Sequence, residues 1–329
     1  MISGLTAEQL ARDMISGHFD HELVSAQLFA MSARGEREDE IIDFARAFRE
    51  AALPVSTRHP VVMDLCGTGG AEARTFNVST AASFIVASLG VPVAKHGNRS
   101  ARLCGSADVM EALGARITLN PAEASEMLDE MNFTFLFAQT YHPAMRHVAP
   151  VRRSIGTRTI FNMLGPLLNP VAARKRQLIG VYSPALLDLL PPVLHSLGVE
   201  RAMIVHGYPG TDEVSITGTT RVAELRNGRM ERYIIDPARL GITPPGRTAI
   251  GELPPAEAAK AVREVLSGHR GPRRNMVTLN AACALHVFGK VDDLERGLDL
   301  AEGAIDSGAA LRCLEEFILR SRTGGIGDA

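Results

Sequence analysis

Short apolar runs at residues 61–63, 91–94, 133–137, 178–182 and 202–205 alternate with helix-like stretches through the middle of this chain. Strands separated by whole helices are not hairpins; they pair in parallel, with the helices packed on the sheet faces. Helices are legible at 79–89, at 106–113, from Asn120-Pro121-Ala122-Glu123 onward, and at 184–197. Asn120 can cap, Pro121 fits the first helical position, Glu123 can reach back, and Gly198 supplies a stop. Residues 221–225 and 230–235 read as an antiparallel pair turned at Asn227-Gly228, a strong hairpin signal.

The two ends differ from the middle. Up to residue 50 there are helices only. Thr6-Ala7-Glu8-Gln9 reads as a capping box, followed by Leu10, Met14 and Ile15 on one face. A second helix covers 23–31 and ends near Gly35. A third covers 39–52, with Ile41, Ile42, Ala45 and Phe48 on one stripe. Pro54 and Pro60 bracket a linker, and the chain beyond residue 255 is again mostly helical. The expected fold is α/β: a small all-helical domain at 1–58, joined in space by part of 150–175, and a larger α/β domain at 59–329 with a mainly parallel central sheet covered by helices.

The 329 residues suffice for such a pair of domains, and 46% hydrophobic content is ordinary for a buried core. A formal net charge of −2 gives no general attraction to nucleic acid or to an anionic membrane. No apolar run reaches bilayer length, and Met1-Ile2-Ser3-Gly4-Leu5 lacks the layout of a signal peptide. Cys66, Cys104, Cys283 and Cys313 are scattered without paired spacing. The expectation is a reduced, cytoplasmic protein without disulfides or a zinc site.

The chemistry concentrates between residues 61 and 98. Cys66-Gly67-Thr68-Gly69-Gly70 follows a strand, and Asn77-Val78-Ser79-Thr80 opens a helix. Gly67, Gly69 and Gly70 let the backbone approach an anion closely and adopt positive φ. A lone glycine turn is more often a plain strand–helix connection. Here Asn77, Ser79 and Thr80 follow at a distance suited to wrapping the same anion, which points to a small phosphorylated molecule. Lys95-His96-Gly97-Asn98 adds a point charge at Lys95 and a donor–acceptor amide at Asn98. His96 can orient a substrate or simply be satisfied by backbone groups.

Asp212-Glu213 lies in a loop after a strand, with Gly207, Pro209 and Gly210. Most acidic pairs are solvated; beside a pyrophosphate, this one offers oxygen ligands for magnesium. Within the basic run from Arg146 to Arg158, one arginine can fork onto a substrate carboxylate, whereas Arg153 reads as solvated. Glu111, Glu126 and Asp129 read as surface charge. Cys66 and Cys104 read as small packing residues.

Taken together, these motifs resemble the anthranilate phosphoribosyltransferases, enzymes of tryptophan biosynthesis. The likeness runs nearly end to end. It rests on Gly67-Thr68-Gly69-Gly70, Asn77-Val78-Ser79-Thr80, Lys95-His96-Gly97-Asn98-Arg99-Ser100, His142-Pro143-Ala144-Met145-Arg146, the segment from Arg158 to Pro170, Asp212-Glu213-Val214 and Leu279-Asn280-Ala281-Ala282. The resemblance implies a Mg2+-dependent pentosyltransferase that moves a phosphoribosyl group from phosphoribosyl pyrophosphate to the amine of anthranilate and releases pyrophosphate. It implies a homodimer formed through the helical domain. Carried over by position, Gly67, Thr68, Gly69, Gly70, Thr75, Asn77, Ser79, Thr80, Lys95 and Ser106 would bind the donor. His96, Asn98, Arg152, Gly165 and Pro166 would face the acceptor. Ser79, Asp212 and Glu213 would hold magnesium.

The chain also departs from that pattern. Ala71 stands where the family usually has Asp. The segment Ala101-Arg102-Leu103-Cys104-Gly105-Ser106 is one residue shorter and lacks the usual lysine, with Arg102 as a compensating charge. Tyr208-Pro209 replaces small residues. Rival readings are the same chemistry on another aromatic or heterocyclic amine, a nucleoside phosphorylase, and a catalytically silent paralogue that binds nucleic acid or another ligand.

Overall fold

The computed structural model describes residues 5–100, 103–245 and 247–323. Its N-terminal part is α1 (Ala7–Ser16), α2 (His21–Arg34) and α3 (Glu38–Glu50). The Thr6–Gln9 capping box is present on α1. Then come β1 (Val61–Gly67), α4 (Val78–Ser88), β2 (Val93–Gly97), α5 (Ser106–Leu113), α6 (Pro121–Met131) and β3 (Phe133–Phe137). The short α7 (Ala138–Tyr141), α8 (Met145–Ile155) and the short α9 (Phe161–Leu164) lead into β4 (Arg174–Gly180). After α10 (Leu186–Ser196) follow β5 (Arg201–Gly207), β6 (Thr220–Arg226) and β7 (Arg229–Ile235). Four helices close the described chain: α11 (Pro255–Leu266), α12 (Pro272–Phe288), α13 (Leu294–Asp306) and α14 (Ala309–Thr323).

The seven strands form one sheet in the order β3-β2-β1-β4-β5-β6-β7. The first five are parallel to one another; β5–β6 and β6–β7 pair antiparallel. Chain order reverses beside β1, between β2 and β4, and open parallel sheets bind ligands outside the strand C-termini at such a switch point. The glycine turn, Lys95-His96-Gly97 and the loop after β5 all lie at that edge.

Alternation along each strand divides the core. Leu178, Met203, Val205 and Val222 join α4, α12 and α14 on one side. Ile179, Ala202, Ile204 and Ala223 join α10, α1–α3, α8 and α9 on the other. The helices of 1–50 therefore pack with Val148, Val151 and Phe161 in one apolar cluster. Phe161 stands edge-on to Phe44 and Phe48, at 5.7 and 5.5 Å between ring centroids. Burying aromatic rings this way is worth about 0.5–1.5 kcal/mol per pair beyond area alone.

Two expectations need correction. The second strand is not 91–94 but β2, Val93–Gly97. Pro92 has no N–H to donate to the ladder, and although its carbonyl accepts from Met63 N at 2.8 Å, the pairing with β1 starts one residue later, at Val93. Lys95 and His96 consequently stand inside the strand. Asp129 is not plain surface charge: its carboxylate accepts from Thr57 Oγ1 at 2.5 Å and Arg58 N at 3.0 Å, fastening the linker to α6.

Candidate functional site

The glycine turn is shaped by its contact with the loop after β5. Gly67 is the last residue of β1, and only Gly69 and Gly70 take positive φ, 67° and 76°. Gly67 is required for another reason: a Cβ there would stand 2.7 Å from Asp212 Oδ2. At Gly180 a Cβ would overlap the Asp212 main chain. With both side chains missing, the Asp212 carboxylate accepts the Gly69 amide at 3.0 Å. Thr68 locks the turn, its N–H donating to Gly180 O at 2.9 Å and its hydroxyl accepting from Tyr182 N at 3.0 Å.

Glu213 faces Ser79 at the start of α4, and both line one internal space with Cys66 and Asn280. Burial, and then the neighbouring Asp212 charge, push the Glu213 carboxyl up to about 8; Lys95 and the Ser79 N–H and hydroxyl offset part of this. Asp212 is raised too, mainly by burial. An under-compensated carboxylate pair calls for positive charge. Its hard oxygens, with the Ser79 hydroxyl, suit Mg2+. No cluster of three or more His, Cys, Asp or Glu able to hold a metal exists among the described residues. A magnesium ion here would complete its shell from elsewhere, as ions bound with phosphates do.

Lys95 is 1% exposed and sits behind Ser79, its ammonium donating to Leu65 O at 2.6 Å and Ser79 Oγ at 3.2 Å. Burial lowers its pKa, and Asp64 nearby raises it. Asp64, wholly buried in β1, accepts from His96 N at 3.2 Å and Asn169 Nδ2 at 3.0 Å. The Asn169 amide also reaches Ala94 O at 2.8 Å and Val171 N at 3.1 Å. This network ties β1 and β2 to the segment after Gly165.

Remaining donor candidates spread around this centre. Asn77 precedes α4 without a side-chain cap bond, and Cys104 Sγ lies 3.5 Å from its Oδ1. Burial pushes the Cys104 thiol up to about 12, in keeping with a packing role. Thr80 is buried, and its hydroxyl has no hydrogen-bond partner among the described residues. Thr75 pairs with Gly251 in a short antiparallel bridge. Ser106 meets the other group, accepting from Asn98 N at 3.2 Å.

On the acceptor side, His96 Nδ1 contacts Gly165 O at 3.2 Å, and the ring stands 5.1 Å from that of His142. Burial, and next the His142 neighbour, hold His96 at about 3; burial holds His142 at about 4. Both are neutral near pH 7. Pro166 is fixed through its carbonyl by Gln177 Nε2 at 2.7 Å. The Arg152 guanidinium lies 5.8 Å from the Phe161 ring centroid and makes no hydrogen bond or ion pair among the described residues. Burial lowers its pKa. A half-buried, unpaired guanidinium is a ready partner for a carboxylate. Arg153 is exposed, as expected.

Residues 59–311 match the family described as "Glycosyl transferase family, a/b domain", and residues 4–52 the "helical bundle domain" of the same family. An anthranilate phosphoribosyltransferase of Rubrobacter xylanophilus is 47% identical over 321 residues, 96% of this chain and 92% of that protein. The chain belongs to the anthranilate phosphoribosyltransferase family. The crystal structure of the Thermus thermophilus member superposes with a TM-score of 0.90 at 40% identity, covering 96% of this chain and 94% of that one. The Saccharomyces cerevisiae member, solved with PRPP and Mg, gives 0.88 at 28% identity, covering 97% and 94%. A further crystal of that enzyme holds 4-fluoroanthranilate.

Against that family background, the departures have a structural setting. Ala71 is buried. Ala101 and Arg102 lie outside the described residues, so the compensating charge at Arg102 is not placed. The flanks of that segment are held by Asp108, which accepts from Ser100 N at 3.0 Å and Gly105 N at 2.7 Å. Asp64 escaped sequence reasoning, and Asn169 and Asn280, though inside motifs of the resemblance, were given no role at the site. A lone acidic residue inside an apolar strand was the available signal for Asp64, since buried carboxylates are rare unless partnered.

Proposed function

We propose that this chain transfers the phosphoribosyl group of phosphoribosyl pyrophosphate to the amine of anthranilate, releasing pyrophosphate with magnesium, as a step in tryptophan biosynthesis. The contact of Asp212 with the Gly69 amide carries the reading. It sets a carboxylate pair fit for a cation against a glycine turn fit for phosphate. The donor would lie along Gly67, Thr68, Gly69, Gly70, Thr75, Asn77, Ser79, Thr80 and Ser106. Ser79, Asp212 and Glu213 would hold magnesium, which when bound stabilises charge on the departing pyrophosphate. Lys95 adds positive charge from behind Ser79 and fixes that hydroxyl.

Arg152 would take the anthranilate carboxylate, with Asn98, Gly165, Pro166 and the neutral His96 around the ring. An aromatic amine is uncharged at neutral pH, so attack at the ribose C1 needs little prior deprotonation. Orientation of two substrates is then the larger contribution, up to roughly 7–11 kcal/mol. The test is direct. Protein, phosphoribosyl pyrophosphate, Mg2+ and anthranilate are mixed, and anthranilate fluorescence and pyrophosphate are followed together. Loss of fluorescence matched by pyrophosphate is the expected result; consumption of phosphate instead would indicate a phosphorylase.

Residues 1–58, joined by part of 150–175, form the smaller helical domain in this reading, and a second copy docks there. A groove of about 740 Å³ between α2 and α8, lined by His21, Ser25, Ala26, Phe29, Pro150 and Ile155, supports this. Phe29 is 56% exposed beside it. Light scattering should give twice the chain mass, and Phe29→Glu should halve it. A cytoplasmic location accords with four free cysteines and with no described helix long and apolar enough to cross a membrane.

A further inference from the structure

The twelve-residue stretch between β5 and β6 carries Asp212 and Glu213 without any strand ladder to hold its main chain. Val214, the next residue, is wholly buried, so its N–H and C=O must find partners inside the protein. Both are met by one side chain. Val214 N donates to Asn280 Oδ1 at 3.0 Å, and Asn280 Nδ2 donates to Val214 O at 2.9 Å. The same Nδ2 donates to Met276 O at 2.8 Å, which anchors the amide to its own helix, α12. The pair of bonds imitates a β-bridge between a side chain and a loop. Only an amide of this length supplies donor and acceptor at that spacing; Asp lacks the donor and Leu lacks both.

The clamp sits next to the metal-binding dyad. Glu213 and Asn280 border the same internal space as Ser79. Gly207, at the end of β5, admits the Glu213 carbonyl only because it has no Cβ. With the strand end on one side and Asn280 on the other, the Glu213 main chain has one position.

We propose that Asn280 is a positioning residue for the magnesium–pyrophosphate site, holding Glu213 toward Ser79 through the Val214 main chain. This rests on the magnesium-holding role given above to Asp212 and Glu213. The Asn280 amide is taken up by Val214 and Met276 beside Glu213, so its loss should act on the metal and donor and not on the acceptor.

The experiment compares the full-length protein with Asn280→Ala, the near-isosteric Asn280→Leu, and Leu285→Ala, a core change in the same helix remote from Val214 in the hydrogen-bond pattern. Calorimetry measures uptake of phosphoribosyl pyrophosphate across a Mg2+ titration, and anthranilate uptake separately. Two unpaired buried groups should raise the Mg2+ midpoint about tenfold or more in both Asn280 variants. Anthranilate affinity should stay within about twofold, and Leu285→Ala should leave the midpoint unmoved while lowering Tm. An unchanged midpoint in a folded Asn280 variant overturns the proposal, as does equal loss for donor and anthranilate. Failure of both variants to fold would make Asn280 a core residue and also overturn it. No magnesium-dependent uptake by the unsubstituted protein would instead sink the functional reading, and the inference with it.

Discussion

Arg158 holds the Gly70 carbonyl through its Nη2 at 2.6 Å, with the guanidinium 4.2 Å from the centroid of the Tyr182 ring. Its own carbonyl accepts from Ser32 Oγ of α2 at 2.7 Å. One residue thus connects the helical segment to the turn that would cradle the donor. Gly70 has positive φ, and a carbonyl held from outside fixes the course of the turn there.

Arg158→Ala should therefore weaken the donor. A hydrogen bond from a charged group is worth about 1.5–3 kcal/mol, so KM for phosphoribosyl pyrophosphate should rise roughly tenfold or more. KM for anthranilate should change little. Steady-state kinetics on both substrates decide it. Full recovery in Arg158→Lys would show that charge suffices and that the fork and the Tyr182 stack do not matter.

Arg152→Ala should give the opposite pattern. Its guanidinium is half-buried and unpaired among the described residues, and a bidentate bond to a carboxylate fits that state. Anthranilate KM should rise about ten- to hundredfold, with donor KM within about twofold. Equal losses for both substrates would remove the assigned role.

Much of this architecture was readable from residue patterns, and the failures share a cause. The Asn120 cap, the Phe133–Phe137 strand and the Asn227-Gly228 turn are local, and each stands where its residues require. The parallel sheet followed from alternation alone. What stayed hidden depends on contacts distant in sequence. Lys95 fell just outside the strand expected at 91–94; charge inside a strand is costly, and Leu65 O and Ser79 Oγ, from two other elements, make it tolerable. Asp64 needed Asn169, 105 residues away, and Asp129 needed Thr57, 72 residues away. No window of sequence displays such a partner. The glycines were visible, but not the reason for them: at Gly67 and Gly180 it is the approach of Asp212.

That approach makes a contrast between two glycines testable. A methyl at Gly180 would overlap the Asp212 main chain, and backbone cannot yield as a flexible side chain does. Overpacking of this kind costs about 1–3 kcal/mol or more. Gly180→Ala should lower Tm by several degrees and abolish most turnover. At Gly165 a Cβ meets nothing within 4 Å, and φ is −45°. Gly165→Ala should keep the parental Tm. Any activity it loses then reports on room for the acceptor. Thermal melts and turnover on the two variants check both statements.

Acid should destabilise the protein through the buried imidazoles of His96 and His142. Their folded pKa values, about 3 and about 4, lie below the ordinary 6.5. A depressed histidine pKa means that the unfolded chain binds more protons between the two values. Stability is full above about pH 6.5 and falls as the pH drops below it, levelling only near the folded values. At pH 5 each ring costs roughly 2 kcal/mol, taking about 1.36 kcal/mol per unit of pKa difference. His142→Gln removes one titrating ring from this balance. Urea unfolding between about pH 4.5 and 6 should then show a pH slope shallower by about 1.2 kcal/mol per pH unit, a little under one proton's worth. Identical slopes in the parent and the variant would mean that His142 already carries its charge in the folded protein, and its place against His96 would have to be redrawn.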